Sequence, residues 1–346
     1  MKVLVTGGAG FIGSHLVEAL LGRGDEVWVI DDLSTGREQN IAHLMDNPMF
    51  HWHYGTVLDK TLVGEVMSQC DITFHLAAAV GVAYVVKNPL KSLINNIKGA
   101  EVVLEEACAE MKKVILFSSS EVYGKGNGVP LKEGDDRVLG PTAVSRWSYA
   151  TGKAVDEFLA FAYWREKGLP TVIVRCFNSC GPRQTGDYGM VVPRFVTQAL
   201  QGQPMTVYGN GKQSRCFSYV GDIVSGVLLL SEHSEAIGQV FNIGTDEEIT
   251  IEGLARKIKE LTRSSSPIEH VPYEKAYDGG FEDMKRRVPD LRKIQSLVDY
   301  KPTVSLDELL VLTINDICER LKIATPQGLP CASSSGLFAS AAVKKA

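Results

Sequence analysis

Tyr149 and Lys153 stand four residues apart in Ser148-Tyr149-Ala150-Thr151-Gly152-Lys153, at the start of a stretch with apolar residues at helical spacing. On a helix that separation puts both side chains on one face, one turn apart. An ammonium beside a phenol favours the phenolate, so Lys153 is expected to lower the tyrosine pKa from about 10 toward the working range and make a general base for a hydroxyl. The pair gains meaning from Ser118-Ser119-Ser120-Glu121-Val122-Tyr123-Gly124, which ends an apolar run. That run would deliver hydroxyls and a carboxylate to the carboxyl edge of a sheet, where ligands bind. A second constellation is Thr6-Gly7-Gly8-Ala9-Gly10-Phe11-Ile12-Gly13. Gly7, Gly10 and Gly13 suit a tight turn, close backbone approach to a pyrophosphate and close helix packing, with the phosphates at a positive helix terminus. Asp31, followed by Asp32, comes eighteen residues after Gly13, where a carboxylate can accept from both ribose hydroxyls of a dinucleotide. The same charge would repel a 2′-phosphate, which favours NAD over NADP.

Short β-branched runs must carry these groups. Residues 2–6, 26–31, 50–54, 72–76, 113–118 and 171–176 read as strands, and their near-continuous apolar character fits strands covered on both faces. Residues 14–21, 92–111 and 149–167 repeat apolar side chains at helical spacing. This alternation predicts an α/β fold, a Rossmann-type doubly wound parallel sheet. We expect residues 1–180 to form that dinucleotide-binding domain, with segments around 215–245 returning to it. From about Gly181 the loops lengthen, and helices are expected at 251–261 and 306–321. Residues 181–322 are therefore expected to form mainly a smaller C-terminal substrate-binding lobe, with substrate in the cleft between the lobes. Residues 323–346, rich in Ser and Ala without periodicity, read as a disordered tail.

The 346 residues are 45% hydrophobic and 22% charged, with a net charge of −5, as in ordinary soluble globular proteins. Interspersed signs leave no basic stripe, so nucleic acid is not expected as a partner. No run reaches the roughly eighteen apolar residues that cross a bilayer, and Met1-Lys2-Val3-Leu4-Val5 is not a basic-then-apolar leader. A cytoplasmic protein away from membranes is the expectation. Seven cysteines, none in Cys-x-x-Cys, include Cys70, Cys108, Cys176, Cys216 and Cys318 in apolar surroundings, which reads as reduced core thiols. His51-Trp52-His53 has no third ligand near in sequence, so we expect a strand edge there and no metal.

The glycine turn, the Tyr149–Lys153 pair and the Ser-Ser-Ser-Glu-Val-Tyr-Gly strand end, in this order, resemble the extended short-chain dehydrogenases that act on nucleotide sugars, from Lys2 to about Leu321. The resemblance implies NAD as cofactor and a nucleotide-diphosphate sugar, UDP-linked, as substrate. It makes Tyr149 the base, Ser119 the hydroxyl that shares the hydrogen bond to substrate and Lys153 the cofactor-side cation, with Ser120 and Glu121 beside them. Leu76, Ala77 and Ala78 after His75, Asn96 of Asn95-Asn96, Ser118 and Phe177 are implied on the cofactor side, with Phe11 and Ile12 of the glycine turn. Asn178, Arg183, Val191, Tyr208, Arg215 and Arg287 are implied on the substrate side. Arginines converging on the cleft of an acidic protein suit a diphosphate, because guanidinium forks match phosphate oxygens. One departure is Gly55-Thr56-Val57-Leu58-Asp59, where many relatives carry an acid directly after the glycine.

Enzymes of this kind begin alike: hydride leaves sugar carbon four for NAD while the tyrosinate takes the hydroxyl proton. Glu121 resembles the dehydratases and decarboxylases rather than plain 4-epimerases, and Ser120 stands where dTDP-glucose dehydratases place an aspartic acid. Three stretches are similar to the decarboxylase domain that makes a 4-keto-pentose for lipid A modification, and to plant UDP-apiose/UDP-xylose synthase. They are Arg146-Trp147-Ser148-Tyr149, Lys212-Gln213-Ser214-Arg215-Cys216-Phe217, and residues 277–283 leading to Arg286-Arg287-Val288-Pro289-Asp290. The loop Ala79-Val80-Gly81-Val82-Ala83-Tyr84 lacks the Ser-Pro-rich stretch of the UDP-xylose synthases. The resemblance thus implies a UDP-glucuronate decarboxylase, with a UDP-sugar 4-epimerase and then an NDP-hexose 4,6-dehydratase as alternatives. A protein that senses NAD without chemistry is the non-enzyme reading, and the intact Tyr149–Lys153 pair argues against it. Apolar positions on 92–111 and 149–167 exceed one core face, and relatives pair these helices across a two-fold axis, so a homodimer is expected.

Overall fold

The computed structural model describes residues 1–126, 128–276 and 282–330. Residues 277–281 of the motif before Arg287, and 331–346 of the expected tail, lie outside the described residues. Seven strands, β1 (Lys2–Thr6), β2 (Glu26–Asp31), β3 (Phe50–Tyr54), β4 (Ile72–His75), β5 (Lys113–Ser119), β6 (Thr171–Cys176) and β7 (Gln239–Ile243), form a parallel sheet in the order β7-β6-β5-β4-β1-β2-β3. Alternation along each strand feeds two separate cores, because successive side chains point to opposite faces. Val3, Val5, Val27, Val29, Ile115 and Phe117 join the core beneath α1 (Phe11–Gly22). Leu4, Trp28, Ile30, Val114 and Leu116 join the one beneath α2 (Lys60–Met67), α3 (Pro89–Ala109) and α4 (Ser148–Lys167). The strand order reverses beside β1, between β4 and β2, which opens a crevice at their carboxyl ends.

Several elements escaped the periodicity, α2 and β7 among them. β7 pairs with β6 from Gln239↔Val172 to Ile243↔Cys176, but Asn242 breaks its apolar run. That amide is fully buried and serves the fold: its Oδ1 accepts from the Tyr123 hydroxyl at 2.7 Å and its Nδ2 donates to Leu131 O at 2.8 Å. After α5 (Val191–Leu200), helix α6 (Val220–Glu232) was hidden for a different reason. It is buried on most sides, through Val220, Ile223, Val224, Val227, Leu228 and Leu230, so no polar face marks its period. α6 packs with α1 on the same face of the sheet.

A further core joins α5, α7 (Ile251–Thr262) and α8 (Leu306–Leu321) through Phe195, Val196, Leu254, Ile258, Leu309 and Ile314. Ser305 and Glu308 start α8 with a reciprocal capping box, which satisfies two of the helix's otherwise unpaired N–H groups. Contrary to the expectation of a tail from 323, Leu329 packs on this core, and its N–H donates to Pro326 O at 3.2 Å. Among the described residues no helix is long and apolar enough to cross a membrane.

Two buried histidines predict how the fold responds to acid. His15 lies on α1 with Nε2 3.0 Å from Pro182 O, and His75 ends β4 with Nδ1 2.8 Å from Thr6 Oγ1. Burial pushes His15 down to about 4, helped by the Arg183 charge, and His75 down to about 3, helped by the Lys153 charge. Both folded-state values lie below the ordinary 6.5, so their neutral forms stabilise the fold above that pH. The contribution is lost as pH falls from about 6.5 toward 3, at up to about 1.4 kcal/mol per pH unit for each ring. Thermal melts across this range should show a steady fall in Tm, with a shallower slope in His15→Gln.

Candidate active site

A cavity of about 440 Å³ opens at the carboxyl ends of β1, β2, β4 and β5 and runs into the C-terminal segments. One end is the glycine turn. Gly7 adopts φ +76°, and a Cβ at Gly13 would lie 2.1 Å from Gly7 O, so the turn and α1 close on each other only with glycine there. The first turn of α1 has neither a side-chain cap nor an acidic residue. With Gly7, Gly10, Phe11, Ile12 and Gly13 lining the cavity, its open N–H groups and positive dipole end form a cradle for phosphate.

Asp31 ends β2 at the same end, its oxygens accepting from Ala9 N at 3.0 Å and Leu33 N at 2.8 Å. Each oxygen keeps a lone pair for a hydroxyl. Burial raises its pKa, against those backbone donors. Asp32 caps Ser34 N at 2.9 Å and also lines the cavity. Across the mouth, Arg37 Nη2 donates to Asp187 Oδ2 at 2.7 Å and Thr185 Oγ1 at 3.1 Å, strapping the loop after β2 to that after β6. Leu76, Ala77 and Ala78 follow β4 along the wall. Asn96, expected to face a cofactor, stands behind that wall: its Oδ1 accepts from Ala79 N at 2.7 Å and its Nδ2 donates to Ala79 O at 3.3 Å. Asn95 is the neighbour that lines the cavity. Phe177, likewise expected on the cofactor side, is fully buried with Val122, Tyr123 and Leu131, while Cys176 and Asn178 line the cavity on either side of it.

The middle of the cavity is built by the end of β5 and the start of α4. Ser118 Oγ donates to Glu157 Oε1 at 2.5 Å, and Glu157 is held by Arg175 Nε at 2.9 Å and Nη2 at 2.7 Å. Ser119 Oγ accepts from Glu121 N at 3.2 Å, and Ser120 is buried next to it. Tyr149 and Lys153 share one face of α4 and both line the cavity. The Tyr149 phenol is not lowered as expected. Burial, then the charges of Glu121 and Asp156, raise its pKa, against a hydrogen bond with Ser119. Lys153 Nζ donates to Asp156 Oδ2 at 3.1 Å, so the ammonium that should stabilise a phenolate already faces a carboxylate.

At the other end Glu121 lies between two guanidiniums, Arg146 Nη2 at 2.5 Å from Oε2 and Arg287 Nη1 at 2.5 Å from Oε1. Burial acts to raise its pKa, but the two arginines outweigh it and bring it to about 2. Arg287 Nη2 also donates to Asn178 Oδ1. Arg215 stands beside Arg287 in strand register, with Nη2 on Asp283 Oδ1 at 2.7 Å and Nη1 on Met284 O at 2.9 Å. Burial, and then Arg287 next to it, lower the Arg215 pKa against the pull of Asp283. Arg183, expected to converge with these two, turns instead to α1, where Nη2 meets Glu18 Oε1 at 2.5 Å. The third arginine of the cluster is Arg146, which entered the sequence reading only within the stretch Arg146-Trp147-Ser148-Tyr149 and not as a site residue. Val191 and Tyr208 line the cavity, Tyr208 with Arg194 4.0 Å over its ring. His51 meets Glu26 at 2.9 Å and stacks on Trp28, and among the described residues no cluster is arranged for a metal ion.

Residues 4–313 match the family model described as GDP-mannose 4,6 dehydratase. The chain is 42% identical over 315 residues to the UDP-N-acetyl-alpha-D-glucosaminuronate decarboxylase of Bacillus cytotoxicus, covering 90% of this chain and 96% of that one. It is 38% identical to UDP-glucuronic acid decarboxylase 1 of Arabidopsis thaliana, covering 93% of this chain and 71% of the other. Among solved structures it resembles the UDP-glucuronic acid 4-epimerase of Bacillus cereus in complex with UDP-glucuronic acid and NAD, with a TM-score of 0.83 and 31% identity over 92% of this chain and all of that one. With a family model matching most of its length and relatives above 30% identity over nine-tenths of it, the chain belongs to the GDP-mannose 4,6-dehydratase family of extended short-chain dehydrogenases.

Proposed function

We propose that this protein is an NAD-dependent decarboxylase of a UDP-linked hexuronate, with UDP-glucuronate as the leading substrate. The observation that carries the reading is Glu121 clamped between Arg146 and Arg287 beside Tyr149 and Ser119. Dehydration would need an acid to hand a proton to a departing hydroxyl. Glu121 is held as a carboxylate down to about pH 2, and Ser120 is too weak an acid to replace it. Decarboxylation makes no such demand.

The glycine cradle, the open terminus of α1 and Asp31 fit a dinucleotide, which when bound would supply the hydride acceptor at sugar carbon four. Tyr149 takes the proton of the 4-hydroxyl, and Ser119 holds the same oxygen. With a ketone at carbon four the carboxylate on carbon five is that of a β-keto acid. Its carbon–carboxyl bond breaks to release carbon dioxide, the electron pair going into an enolate whose oxygen Tyr149 and Ser119 can hydrogen-bond; carbon five then takes up a proton, and with hydride returned to carbon four Tyr149 gives its proton back to the 4-oxygen, so that the net loss is one carbon dioxide. Lys153 reaches the cofactor side of the cavity, and Arg215 and Arg287 offer guanidinium groups to the anionic end of the sugar nucleotide. The substrate-binding role assigned to the segments after residue 180, and a cytoplasmic location suited to the six described cysteines, which form no disulfide with one another, belong to the same reading.

The test is a panel of UDP-glucuronate, its 2-acetamido counterpart, UDP-glucose and a GDP-hexose, incubated with protein and NAD and analysed by mass. Loss of one carbon dioxide from a uronate is expected. Loss of water, or an unchanged mass with inverted carbon four, would replace this reading with a dehydratase or an epimerase.

We also propose that the chain acts as a homodimer. Leu90 and Ile94, one turn apart on α3, and Phe158 on α4 are 71%, 38% and 67% exposed, an apolar surface on the same two helices. Light scattering should give the mass of two chains, and Phe158→Glu should give one. A monomer for the unmodified chain would remove the proposal.

A further inference from the structure

Asp156 lies on α4 three residues beyond Lys153 and is wholly buried. Its Oδ2 accepts from Lys153 Nζ at 3.1 Å, while its Oδ1 is buried with no hydrogen-bond partner among the described residues. A buried carboxylate with one bare oxygen is costly, and an apolar residue of similar size would avoid that cost. Lys153 lines the cavity and Asp156 does not, so Asp156 can reach the chemistry only through Lys153 and through its field.

We propose that Asp156 is a positioning residue of the Tyr149–Lys153 pair, anchoring the Lys153 ammonium from behind the cavity wall and offsetting its charge, and so setting the pH at which Tyr149 becomes a base. The inference rests on the reading of Tyr149 as that base. Burial is the largest cause that holds the Tyr149 pKa above the ordinary value, Glu121 the next, and the Asp156 charge adds to both.

The surroundings single out Asp156 as the charge to change. Tyr149 faces Glu121 and Ser119 from the end of β5 and Cys176 from the end of β6. Glu121 is offset by Arg146 and Arg287. Glu157, beside Asp156 on α4, is offset by Arg175 of β6. The Lys153 charge reaches His75 at the end of β4 and Cys176, and α3 meets α4 there through Leu93 and Ile97 beside Gly152. Asp156 is thus offset by Lys153 alone among the contacts described. Removing its charge leaves the lysine uncompensated beside the phenol, which favours the phenolate.

The experiment is a near-ultraviolet titration of tyrosinate in the full chain with NAD present, the Tyr149 step being identified by its loss in Tyr149→Phe. Asp156→Asn should move that step down by about one pH unit, and Asp156→Glu should leave it near the unmodified position. The acid limb of turnover should move with it, whereas a merely structural role would lower turnover without moving either. Asp156→Ser serves as a second charge-removing variant. A folded Asn or Ser variant with an unmoved step overturns the proposal. So does the failure of both to fold, since the carboxylate would then serve the fold rather than the base. The titration needs no turnover, so absence of decarboxylation would defeat the proposed function without deciding this point, and an unmoved step in an active enzyme would defeat this point alone.

Discussion

Tyr149→Phe is expected to lower turnover by about three orders of magnitude while cofactor binding and Tm change little. The magnitude follows from the part the hydroxyl plays. A positioned acid–base group contributes roughly a hundredfold to ten-thousandfold, and in the proposed reaction the same oxygen accepts the 4-hydroxyl proton and later steadies the enolate. The phenyl ring that remains keeps its place on α4, so the cavity wall survives. The hydroxyl's own partner, Ser119, sits at the end of β5 and already accepts from Glu121 N; it is not placed to take over as base, because a serine hydroxyl is far less acidic than a phenol. Carbon dioxide release, measured alongside NAD binding, decides the matter. A loss of less than about tenfold would remove Tyr149 as the base and with it the proposed order of steps.

Arg287→Met is the second large effect, and it should appear in both stability and activity. Arg287 is nearly buried, holds Glu121 at 2.5 Å and reaches Asn178 with its other nitrogen. Taking one partner from a buried ion pair typically costs about 3–5 kcal/mol, because the remaining charge stays out of water. Arg146 still faces Glu121 at 2.5 Å, so the lower end of that range is expected, seen as a fall in Tm of several degrees. Turnover of a UDP-uronate should fall by about two to three orders of magnitude, since a guanidinium at the anionic end of the cavity is lost with it. Arg287→Lys should recover little, because one ammonium cannot fork to Glu121 and Asn178 together. Arg183→Ala provides the contrast. Its guanidinium is engaged by Glu18 on α1, and its loss should leave kcat within a few-fold of normal. If the two variants behaved alike, the cluster at Glu121 would have no special part in the reaction.

Much of the frame was legible because it depends on neighbours in the chain. Six apolar runs became six strands of one parallel sheet, since residues buried on both faces of a sheet need little else to be recognised. The glycine turn and the Tyr149–Lys153 face are settled within a few residues, by sterics and by helical period. The signal failed where an element's surroundings contradicted its own pattern. Asn242 put a buried amide inside β7, and the all-round burial of α6 erased its polar face.

The site divides along the same line. Local spacing put a phenol, a neighbouring ammonium, hydroxyls and a glycine turn at one sheet edge, because each comes from a single turn, helix or strand end, and the family resemblance supplied their expected roles. Only the tertiary structure decided how they are charged. Arg287 and Glu121 are 166 residues apart, and nothing in either local sequence says they meet. The same holds for Arg183 being drawn to Glu18, for Phe177 turning into the core and for Asn95 rather than Asn96 facing the cavity. The expected lowering of the Tyr149 pKa failed for the reason that governs the whole site. A pKa reflects the sum of burial and every nearby charge, and those charges were brought together by folding rather than by spacing.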